Sequence, residues 1–362
     1  MIIGCPKEIK PYEFRVGLLP DSVAMLKSFG HKVLVQHNAG LGCNISDEEF
    51  INAGAQIVIE ASEIWRSSDM IVKVKEPLVQ EYNYFKNQQI LFTFLHLAAE
   101  EELTKELLNK KVTAIAYETI EDGGYLPILK PMSEVAGRMS VQIGAHLLTS
   151  HQQGKGLLLG GVPGVKNAQV TILGGGIVGK NAAKMALGLG AQVSILDVNQ
   201  QKLEDLDDLF LGQVQTIYSN ESNIKHYVQK ADLLIGAVLL SGAKAPCLVT
   251  KNMVKTMSKG SVIVDVAIDQ GGCIETIKKT THDNPTYLVD GVVHYGVANM
   301  PGAVALTSTY ALAHASFPYL KLLASHSLDD LLKNNQSIKT GLNCFGGELL
   351  NKAVAQSYFK NS

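Results

Sequence analysis

Three of the four glycines at positions 174–179 have the spacing of a loop that binds the phosphates of a nucleotide. Gly174, Gly176 and Gly179 follow the apolar run 168–173 and precede a helix predicted over Lys180–Gly190. This order of strand, turn and helix is typical of a dinucleotide-binding unit. The first glycine permits a tight turn, the second lets the backbone approach a pyrophosphate, and the third lets helix and strand pack closely. The N-terminus of the helix adds N–H groups and a positive dipole end for the phosphates.

An acidic residue follows this turn at the distance that selects between two nicotinamide cofactors. The next predicted strand, Ala191–Leu196, ends at Asp197, which lies 18 residues after Gly179. A carboxylate there accepts hydrogen bonds from a free ribose 2′-hydroxyl and repels a 2′-phosphate, so the pattern predicts NAD rather than NADP. A chance match is the alternative in a chain with 33 glycines. The agreement of strand, helix, second strand and acid favours a genuine nucleotide site.

Basic residues lie where two strands of the first half are predicted to end. Ligands of open α/β sheets bind at that edge, and a substrate that is an acid needs a cation there. Arg15 lies just past the first predicted strand, and its planar guanidinium suits a carboxylate, although a surface arginine paired with Glu13 is the alternative. Lys73 and Lys75 end the run DMIVKVK. Because they are two residues apart they share a face, and the pattern does not choose between them or exclude a solvated strand end.

Proton exchange with the reacting centre needs a further group, and candidates lie at the ends of two predicted strands, where Asp265 and Asp269 compete for one role. His96 follows the apolar run ILFTFL, where a histidine can transfer protons near neutrality, and a core histidine is the alternative. Asp269 closes the run SVIVDVAID, and Asp265 lies within it on the same face. The loop 297–302 has Pro and Gly to fix its path and is predicted to lie along the nicotinamide.

The elements that position these residues predict an α/β fold. In the first part of the chain, strands are predicted at Met1–Cys5, Lys32–Gln36, Met70–Val74, Ile90–Phe94 and Thr113–Tyr117, and helices at Asp21–Phe29, Asp47–Asn52 and Glu100–Asn109. Long helices are predicted at Ser133–Gln152, with Ser133 as its N-terminal cap, and at Ala303–Leu323. They flank a second α/β series, and the last forty residues are predicted to be helix and loop. We therefore predict two Rossmann-like doubly wound domains joined by long helices, with residues 1–130 and 306–362 in a discontinuous first domain and 131–305 in a nucleotide-binding domain.

Composition narrows the class of protein. The net charge of −2 favours neither nucleic acid nor an anionic membrane as a partner. The five cysteines are dispersed without a CxxC pair, so neither a metal site nor a disulfide framework is expected. The apolar segment at the N-terminus is too short, and the residues after it are too charged, for a signal peptide. No apolar run reaches the ~18 residues that a membrane span needs. A cytoplasmic protein with a small-molecule ligand is expected.

Several long stretches resemble the bacterial L-alanine dehydrogenases, which share a fold with the nicotinamide nucleotide transhydrogenase α subunit. The resemblance covers residues 1 to about 305 and rests on MIIGCPKEIKPYEFRVGLLP, VKVKEPL, LFTFLHLA, PMSEVAGRMS, TILGGGIVGKNAAKMALGLGA, LDVN, VDVAIDQGG and YGVANMPGAV. It implies that Arg15 binds the substrate carboxylate, that Lys75 rather than Lys73 contacts the substrate, and that His96 is an acid/base. It also selects Asp269 over Asp265 as the other catalytic residue.

The resemblance further implies the residues that contact NAD. Beside the glycines, they are Ser133, Ile177, Val178, Asp197, Lys202, Ser219, Val238, Leu239, Val266, Asp269, Val297, Ala298, Asn299 and Met300. A homohexamer whose two domains close around the substrate is implied as well. The similarity weakens toward the C-terminus, where a metal-binding pair of some members, near His326, is incomplete, so no metal is expected.

The activity implied is the reversible, NAD-dependent oxidative deamination of L-alanine to pyruvate and ammonia. A transhydrogenase α-type component or a saccharopine dehydrogenase-like enzyme is an enzymatic alternative, and a non-catalytic NAD-sensing protein is an alternative of another class. A sensor would need the glycine turn and Asp197 but not Arg15, Lys75 and His96. Which of His96 and Asp269 is the principal base stays open at this point.

Overall fold

The computed structural model describes residues 1–238 and 245–359. The chain divides into two compact units, Met1–Met132 together with Gly302–Ser362 (unit 1) and Ser133–Pro301 (unit 2). Within the described residues, no helix is both long and apolar enough to cross a membrane.

The first segment of unit 1 alternates strands and helices. Its strands are β1 (Ile2–Cys5), β2 (Lys32–Gln36), β3 (Gln56–Val58), β4 (Met70–Val72), β5 (Ile90–Thr93) and β6 (Thr113–Ala116), and its helices are α1 (Pro20–Ser28), α2 (Asp47–Ala53), α3 (Ala61–Ser67) and α4 (Glu101–Asn109). The five predicted strands and three predicted helices are therefore present. The short elements β3 and α3 were not predicted.

Helix α5 (Leu129–Leu147) corrects the prediction of a helix over Ser133–Gln152 capped by Ser133. The helix begins four residues earlier, so Ser133 lies inside it and cannot act as its cap. Pro131 occupies the first turn of the helix. Proline is tolerated there because the N–H groups of a first turn have no partner within the helix. Residues Ser150–Gln152 form a separate 3-10 turn.

Unit 2 contains a second series of strands and helices. The strands are β7 (Gln169–Leu173), β8 (Gln192–Asp197), β9 (Val214–Tyr218), β10 (Leu233–Gly236), β11 (Val262–Asp265), β12 (Thr286–Val289) and β13 (Val292–Tyr295), and the helices are α6 (Ile177–Gly188), α7 (Gln200–Phe210), α8 (Glu221–Lys230) and α9 (Lys251–Val254). Helix α6 begins at Ile177 rather than Lys180, which brings Ile177, Val178 and Gly179 into its first turn.

The chain then returns to unit 1. It forms α10 (Ala305–Ser325), α11 (Leu328–Asn334), α12 (Gln336–Gly341), β14 (Leu342–Phe345), β15 (Glu348–Leu349) and α13 (Lys352–Phe359). The prediction of only helix and loop for this segment is wrong, since β14 and β15 form an antiparallel pair and β14 pairs antiparallel with β6.

Both sheets are mainly parallel and follow the same doubly wound plan. The strand order is β15-β14-β6-β5-β4-β1-β2-β3 in unit 1 and β12-β13-β11-β10-β7-β8-β9 in unit 2. In each sheet the order reverses beside the first strand of the series, between β1 and β4 and between β7 and β10. Strands such as β4, β5, β10 and β11 are buried along their whole length because helices cover both faces. The predicted fold class is confirmed, and in this fold ligands bind at the carboxyl ends of strands near the reversal.

Candidate active site

The three candidate residues of unit 1 follow three neighbouring strands. Arg15 comes after β1, Lys75 after β4 and His96 after β5, and these strands are adjacent in the order β5-β4-β1. The carboxyl ends of parallel strands meet at one edge, so the topology alone brings the three residues to the same edge of the sheet.

Arg15 is deeply buried and already binds a carboxylate of its own chain. It is 2% exposed, its Nε donates to Glu13 Oε1 at 2.7 Å, and its Nη2 donates to Glu13 Oε2 at 2.6 Å. Its Nη1 lies 3.0 Å from the sulfur of Met132. The pairing with Glu13 that the sequence suggested is therefore present, but in the interior rather than at the surface. Since Glu13 occupies one forked edge of the guanidinium, a second carboxylate would have to approach another edge.

Lys73 serves the fold of unit 1. Its ammonium is buried between two carboxylates, 2.9 Å from Glu81 Oε1 and 3.3 Å from Glu8 Oε2. Burial alone would lower the pKa of Lys73, but the charges of Glu8 and Glu81 outweigh it and raise that pKa above its usual value. A buried cation with two carboxylate partners is held charged and in place, which leaves it poorly suited to bind a ligand.

Lys75 differs from Lys73 although only one residue separates them. Its side chain is half-buried, and across residues 1–238 and 245–359 its ammonium has no ion pair or hydrogen bond. Burial, together with repulsion from Arg15, lowers the pKa of Lys75 below its usual value. A cation that its surroundings compensate poorly gains from an added anion, so Lys75 is better suited than Lys73 to bind an anionic ligand.

The sequence reading missed Glu76, which follows Lys75 directly. Glu76 is 3% exposed, its Oε1 forms an ion pair with Lys10, and its buried Oε2 has no hydrogen-bond partner among the described residues. Burial raises the pKa of Glu76, but the charges of Lys75 and Lys10 outweigh it, and the net pKa is lowered. The carboxylate therefore remains an anion beside Lys75. In the sequence, the only indication that Glu76 belongs to the site was its position next to Lys75 in VKVKEPL.

His96 is exposed, so the alternative of a core histidine is wrong. Its backbone is left-handed, with φ +50°, which is uncommon for a residue other than glycine. Its ring stacks on that of Phe94, with centroids 5.9 Å apart and planes 7° apart. The backbone N–H of His96 donates to Glu118 Oε1 at 2.6 Å. Strained conformations in folded proteins cluster at functional sites, and this one presents an imidazole at the carboxyl edge of the sheet.

The glycine turn of unit 2 has the geometry that a dinucleotide requires. Gly174 has φ +103°, and a Cβ on Gly179 would lie 1.8 Å from the carbonyl oxygen of Gly174, so neither position tolerates a side chain. A Cβ on Gly176 would meet no described atom within 4 Å, so the space in front of it is open. In the part of the chain that the structure describes, no side chain caps α6. Open space beside the uncapped N-terminus of a helix fits a pyrophosphate.

Asp197 ends β8 and organises the loops around it. Its Oδ2 accepts from the N–H of Gly175 at 2.7 Å and its Oδ1 from that of Asn199 at 2.9 Å. Its carbonyl accepts from the N–H of Ser219 at 2.9 Å, and Asn199 caps the N–H of Lys202 at 3.1 Å. The predicted cofactor residues Ser219 and Lys202 therefore lie close to Asp197, whose carboxylate is ordered beside the glycine turn.

Asp265 is part of the fold of unit 2. It is fully buried, and its carboxylate accepts from the N–H of Ala267 at 2.9 Å and from that of Cys273 at 2.8 Å. Burial, only partly offset by these hydrogen bonds, raises the pKa of Asp265 to about 6. Both oxygens are engaged within the protein, so Asp265 is positioned to hold the loop after β11.

Asp269 lies in the 3-10 turn Val266–Gln270 that Asp265 caps. Its side chain is exposed, and its Oδ2 accepts a long hydrogen bond of 3.4 Å from the N–H of Asn299. Because β11 ends at Asp265, the shared face predicted for the two aspartates does not exist. The turn buries one and exposes the other, and only Asp269 is accessible for chemistry.

The remaining predicted cofactor residues also follow carboxyl ends of strands in unit 2, except Ser133 in α5. Val238 follows β10 beside Gly174, Val266 follows β11, and after β13 come Val297, Ala298, Asn299 and Met300. Asn299 has φ +57°, so this loop turns sharply there. Leu239 lies outside the described residues.

Two family models together match most of the chain. Residues 4–136 match the model of the alanine dehydrogenase/PNT N-terminal domain, and residues 140–352 match that of the alanine dehydrogenase/PNT C-terminal domain. The chain is 58% identical over 360 residues to the alanine dehydrogenase of Staphylococcus epidermidis, covering 99% of this chain and 97% of that one. It is 56% identical to alanine dehydrogenase 2 of Staphylococcus aureus, covering 99% and 96%.

Solved structures resemble the whole chain. An L-alanine dehydrogenase matches with TM-score 0.96 and 52% identity over 100% of both chains. A transhydrogenase from Sinorhizobium meliloti matches with TM-score 0.84 and 26% identity over 97% of this chain and 100% of that one. With both domain models matched in order, this chain belongs to the alanine dehydrogenase/PNT family.

Proposed function

We propose that this protein is an alanine dehydrogenase that catalyses the reversible, NAD-dependent oxidative deamination of L-alanine to pyruvate and ammonia. The observation that carries the proposal is the 58% identity, over 99% of the chain, to a protein described as alanine dehydrogenase. The exposed His96 and Asp269 and the poorly compensated Lys75 provide the chemical groups that such an enzyme needs.

Substrate binding is assigned to unit 1. Arg15 attracts the substrate carboxylate, and Glu13 fixes the orientation of the guanidinium through two hydrogen bonds. Lys75 holds the carboxylate or the carbonyl oxygen of pyruvate and polarises the carbon that reacts. Lys75 is the more readily tested of the two, because no ion pair in the described structure depends on it.

Proton transfer is assigned to His96 and Asp269. In the direction of alanine oxidation, water adds to the imine carbon, and a base must take a proton from the resulting hydroxyl as ammonia leaves. An imidazole exposed at the edge of the sheet can both accept and donate a proton, which suits that exchange. Asp269, exposed on its turn, orients the amine and shares the proton transfer.

Cofactor binding is assigned to unit 2, whose residues fit a nicotinamide dinucleotide. The pyrophosphate would be held by Gly174, Gly176 and the first turn of α6, and the adenosine ribose by Asp197. Val238, Val266 and the loop 297–300 would flank the nicotinamide. The chemistry that a bound cofactor would supply is acceptance of the hydride that leaves the alanine Cα. We propose NAD rather than NADP because the Asp197 carboxylate would repel a 2′-phosphate.

The first test is turnover by wild-type protein and a Lys75→Met variant. Purified protein with L-alanine and NAD is expected to produce NADH absorbance at 340 nm. Lys75→Met is expected to lower kcat/KM for pyruvate by about 100-fold or more, because a charge that stabilises the transition state is lost. Lys110→Met, the same change at an exposed lysine of unit 1, is the control. Normal turnover by Lys75→Met would remove this residue from the mechanism.

The second test concerns the cofactor. Asp197→Ala is expected to reduce the preference for NAD over NADP, measured as the ratio of kcat/KM values, by about 10-fold or more, since a repelling charge is lost. Asp205→Ala, at an exposed position of α7, is the matched control. An unchanged ratio in Asp197→Ala would overturn the ribose assignment.

A transhydrogenase-type activity is the alternative that an observation favours, because the Sinorhizobium meliloti transhydrogenase has a similar structure. Hydride exchange between NADH and an oxidised NAD analogue, without any amino acid, would support it. Tight NADH binding without turnover of alanine, glycine or pyruvate with ammonia would instead support a sensor.

From the resemblance we further propose that the protein is a cytoplasmic homohexamer that works in L-alanine catabolism. Light scattering of the purified protein tests the oligomeric state. Growth of a deletion strain on alanine tests the role in catabolism.

A further inference from the structure

The turn after β6 holds the loop that carries His96. Glu118 lies in the 3-10 turn Tyr117–Thr119 and is half-buried. Its two carboxylate oxygens each lie 3.2 Å from the N–H of Leu95, and Oε1 accepts from the N–H of His96 at 2.6 Å. One carboxylate thus binds two successive backbone N–H groups immediately before the imidazole.

The backbone conformation at His96 explains why an anion is needed there. Successive N–H groups beside a left-handed residue point to one side and form a concave site for an anion. With φ +50°, His96 has this left-handed conformation, which carries a steric cost for a residue with a side chain. The Glu118 carboxylate fills the site and compensates that cost, since charge-assisted hydrogen bonds are stronger than neutral ones.

The neighbouring residue of the same turn supports the imidazole ring. Tyr117 is fully buried and meets the ring of Phe94 edge to face, with centroids 5.2 Å apart and planes 78° apart. Phe94 in turn stacks on His96. Residues Tyr117 and Glu118 therefore act on the ring and on the main chain of His96 respectively.

We propose that Glu118 is a positioning residue that holds the His96 backbone in its left-handed conformation and so aims the imidazole. The inference rests on the proposed role of His96 as the acid/base. In this role Glu118 neither exchanges a proton nor binds substrate. Its described hydrogen bonds go to the backbone N–H groups of Leu95 and His96 and not to the imidazole ring.

A Glu118→Gln variant tests this with little change in shape. The amide retains one oxygen for the two N–H groups and turns an NH₂ donor toward them, so the left-handed loop should loosen. With pyruvate, ammonia and NADH, we expect kcat to fall by about 10- to 100-fold, because a small displacement of a reacting group has an effect of that size. KM for NADH should change less than about twofold, since the cofactor residues belong to unit 2.

Amide hydrogen exchange supplies a measurement that does not depend on turnover. Exchange within a peptide covering residues 94–99 is expected to accelerate in Glu118→Gln and to stay unchanged elsewhere. The matched control is Glu121→Gln, at an exposed position three residues along the chain. It should match wild type in kcat, KM and exchange.

The outcomes separate this inference from the proposed function. Wild-type kcat in Glu118→Gln overturns the positioning role, as does a fall in kcat without faster exchange at residues 94–99, since Glu118 would then act directly. If wild-type protein turns over neither alanine nor pyruvate with ammonia, the proposed function fails. Even in that case, unchanged hydrogen exchange at residues 94–99 in Glu118→Gln would show that Glu118 does not stabilise the loop.

Discussion

The ends of β4 and β11 carry the same kind of pair, with opposite charge. After β4 come Lys73 and Lys75, and at the end of β11 lie Asp265 and, in the following turn, Asp269. In both pairs the residue nearer the strand is buried and fully engaged, with two carboxylates for Lys73 and two backbone N–H groups for Asp265. The residue further along is the more accessible one.

The difference between the two inner residues lies in how their charge is compensated. Lys73 meets opposite charges, and its pKa is raised, so its charged form is favoured. Among the described residues, the Asp265 carboxylate is bound by neutral backbone N–H groups, and burial raises its pKa, so its charged form is disfavoured. Position relative to the strand end therefore separates a buried, fully engaged residue from a more accessible one in both units. The partners of the buried residue decide whether its charge stabilises the protein.

The largest expected effect is that of Lys73→Met on stability. The change leaves Glu8 and Glu81 buried without their cation, which is expected to lower the free energy of unfolding by about 3–5 kcal/mol. Urea titration followed by circular dichroism measures it. Lys75→Met is the matched control and should lie within about 1 kcal/mol of wild type, because its ammonium has no described ion-pair partner. If the free energy of unfolding fell equally in Lys73→Met and Lys75→Met, the structural role would not be specific to Lys73.

A smaller effect is expected in the pH dependence at Asp265. In the folded protein its pKa is about 6, above that of an aspartate in an unfolded chain, so between these values only the folded state keeps the proton. Stability from this group is therefore present at low pH and is lost as the pH rises through about 6. Between pH 5.0 and 7.5, wild type should lose about 1–2 kcal/mol more than Asp265→Asn, whose amide does not titrate.

Parallel urea titrations of the two proteins at both pH values measure this difference. Comparing them cancels the titration of groups that do not interact with Asp265. Cys247 and Tyr287 do interact with its charge, but burial raises the pKa of both, so they stay protonated over the interval. The thiol of Cys273 lies 3.8 Å from the Asp265 carboxylate. Burial raises the pKa of this thiol well above its usual value, so it stays protonated over the interval. Identical pH profiles would contradict the prediction.

The smallest expected effect is that of Asp269→Asn on stability. The side chain is exposed and its hydrogen bond with Asn299 is long, so the free energy of unfolding should change by less than about 0.5 kcal/mol. Turnover should nonetheless fall, since Asp269 shares the proton transfer in the proposed mechanism. A large loss of stability would make Asp269 a structural residue like Asp265.

The sequence was sufficient to predict the fold class and the strand ends at which the site residues lie. Buried parallel strands appear in the sequence as continuous apolar runs. Few sequences can form the glycine turn, because it requires glycine at fixed positions. The choice between Lys73 and Lys75 was not predictable from spacing, because β4 ends at Val72 and the two-residue periodicity of a strand no longer applies there. The resemblance to a family, rather than the pattern, favoured Lys75.

Other features depended on partners distant in the chain. Strand β14 includes Asn343, which looks like a loop residue but is buried because its amide donates to Thr119 at 2.7 Å and to the carbonyl of Gly341 at 2.8 Å. The role of Glu118 likewise depends on N–H groups of another strand end. Neither relation leaves a periodic signal in the sequence.

The antiparallel pairing of β14 with β6 has a consequence for how the chain folds as it leaves the ribosome. The partner strand lies beyond the whole of unit 2, so unit 2 is synthesised completely while β6 is still an open edge strand. An open edge with a row of unpaired N–H and C=O groups is a template for association with other chains. We therefore expect truncation before Leu342 to yield protein whose nucleotide-binding half folds but which aggregates through β6.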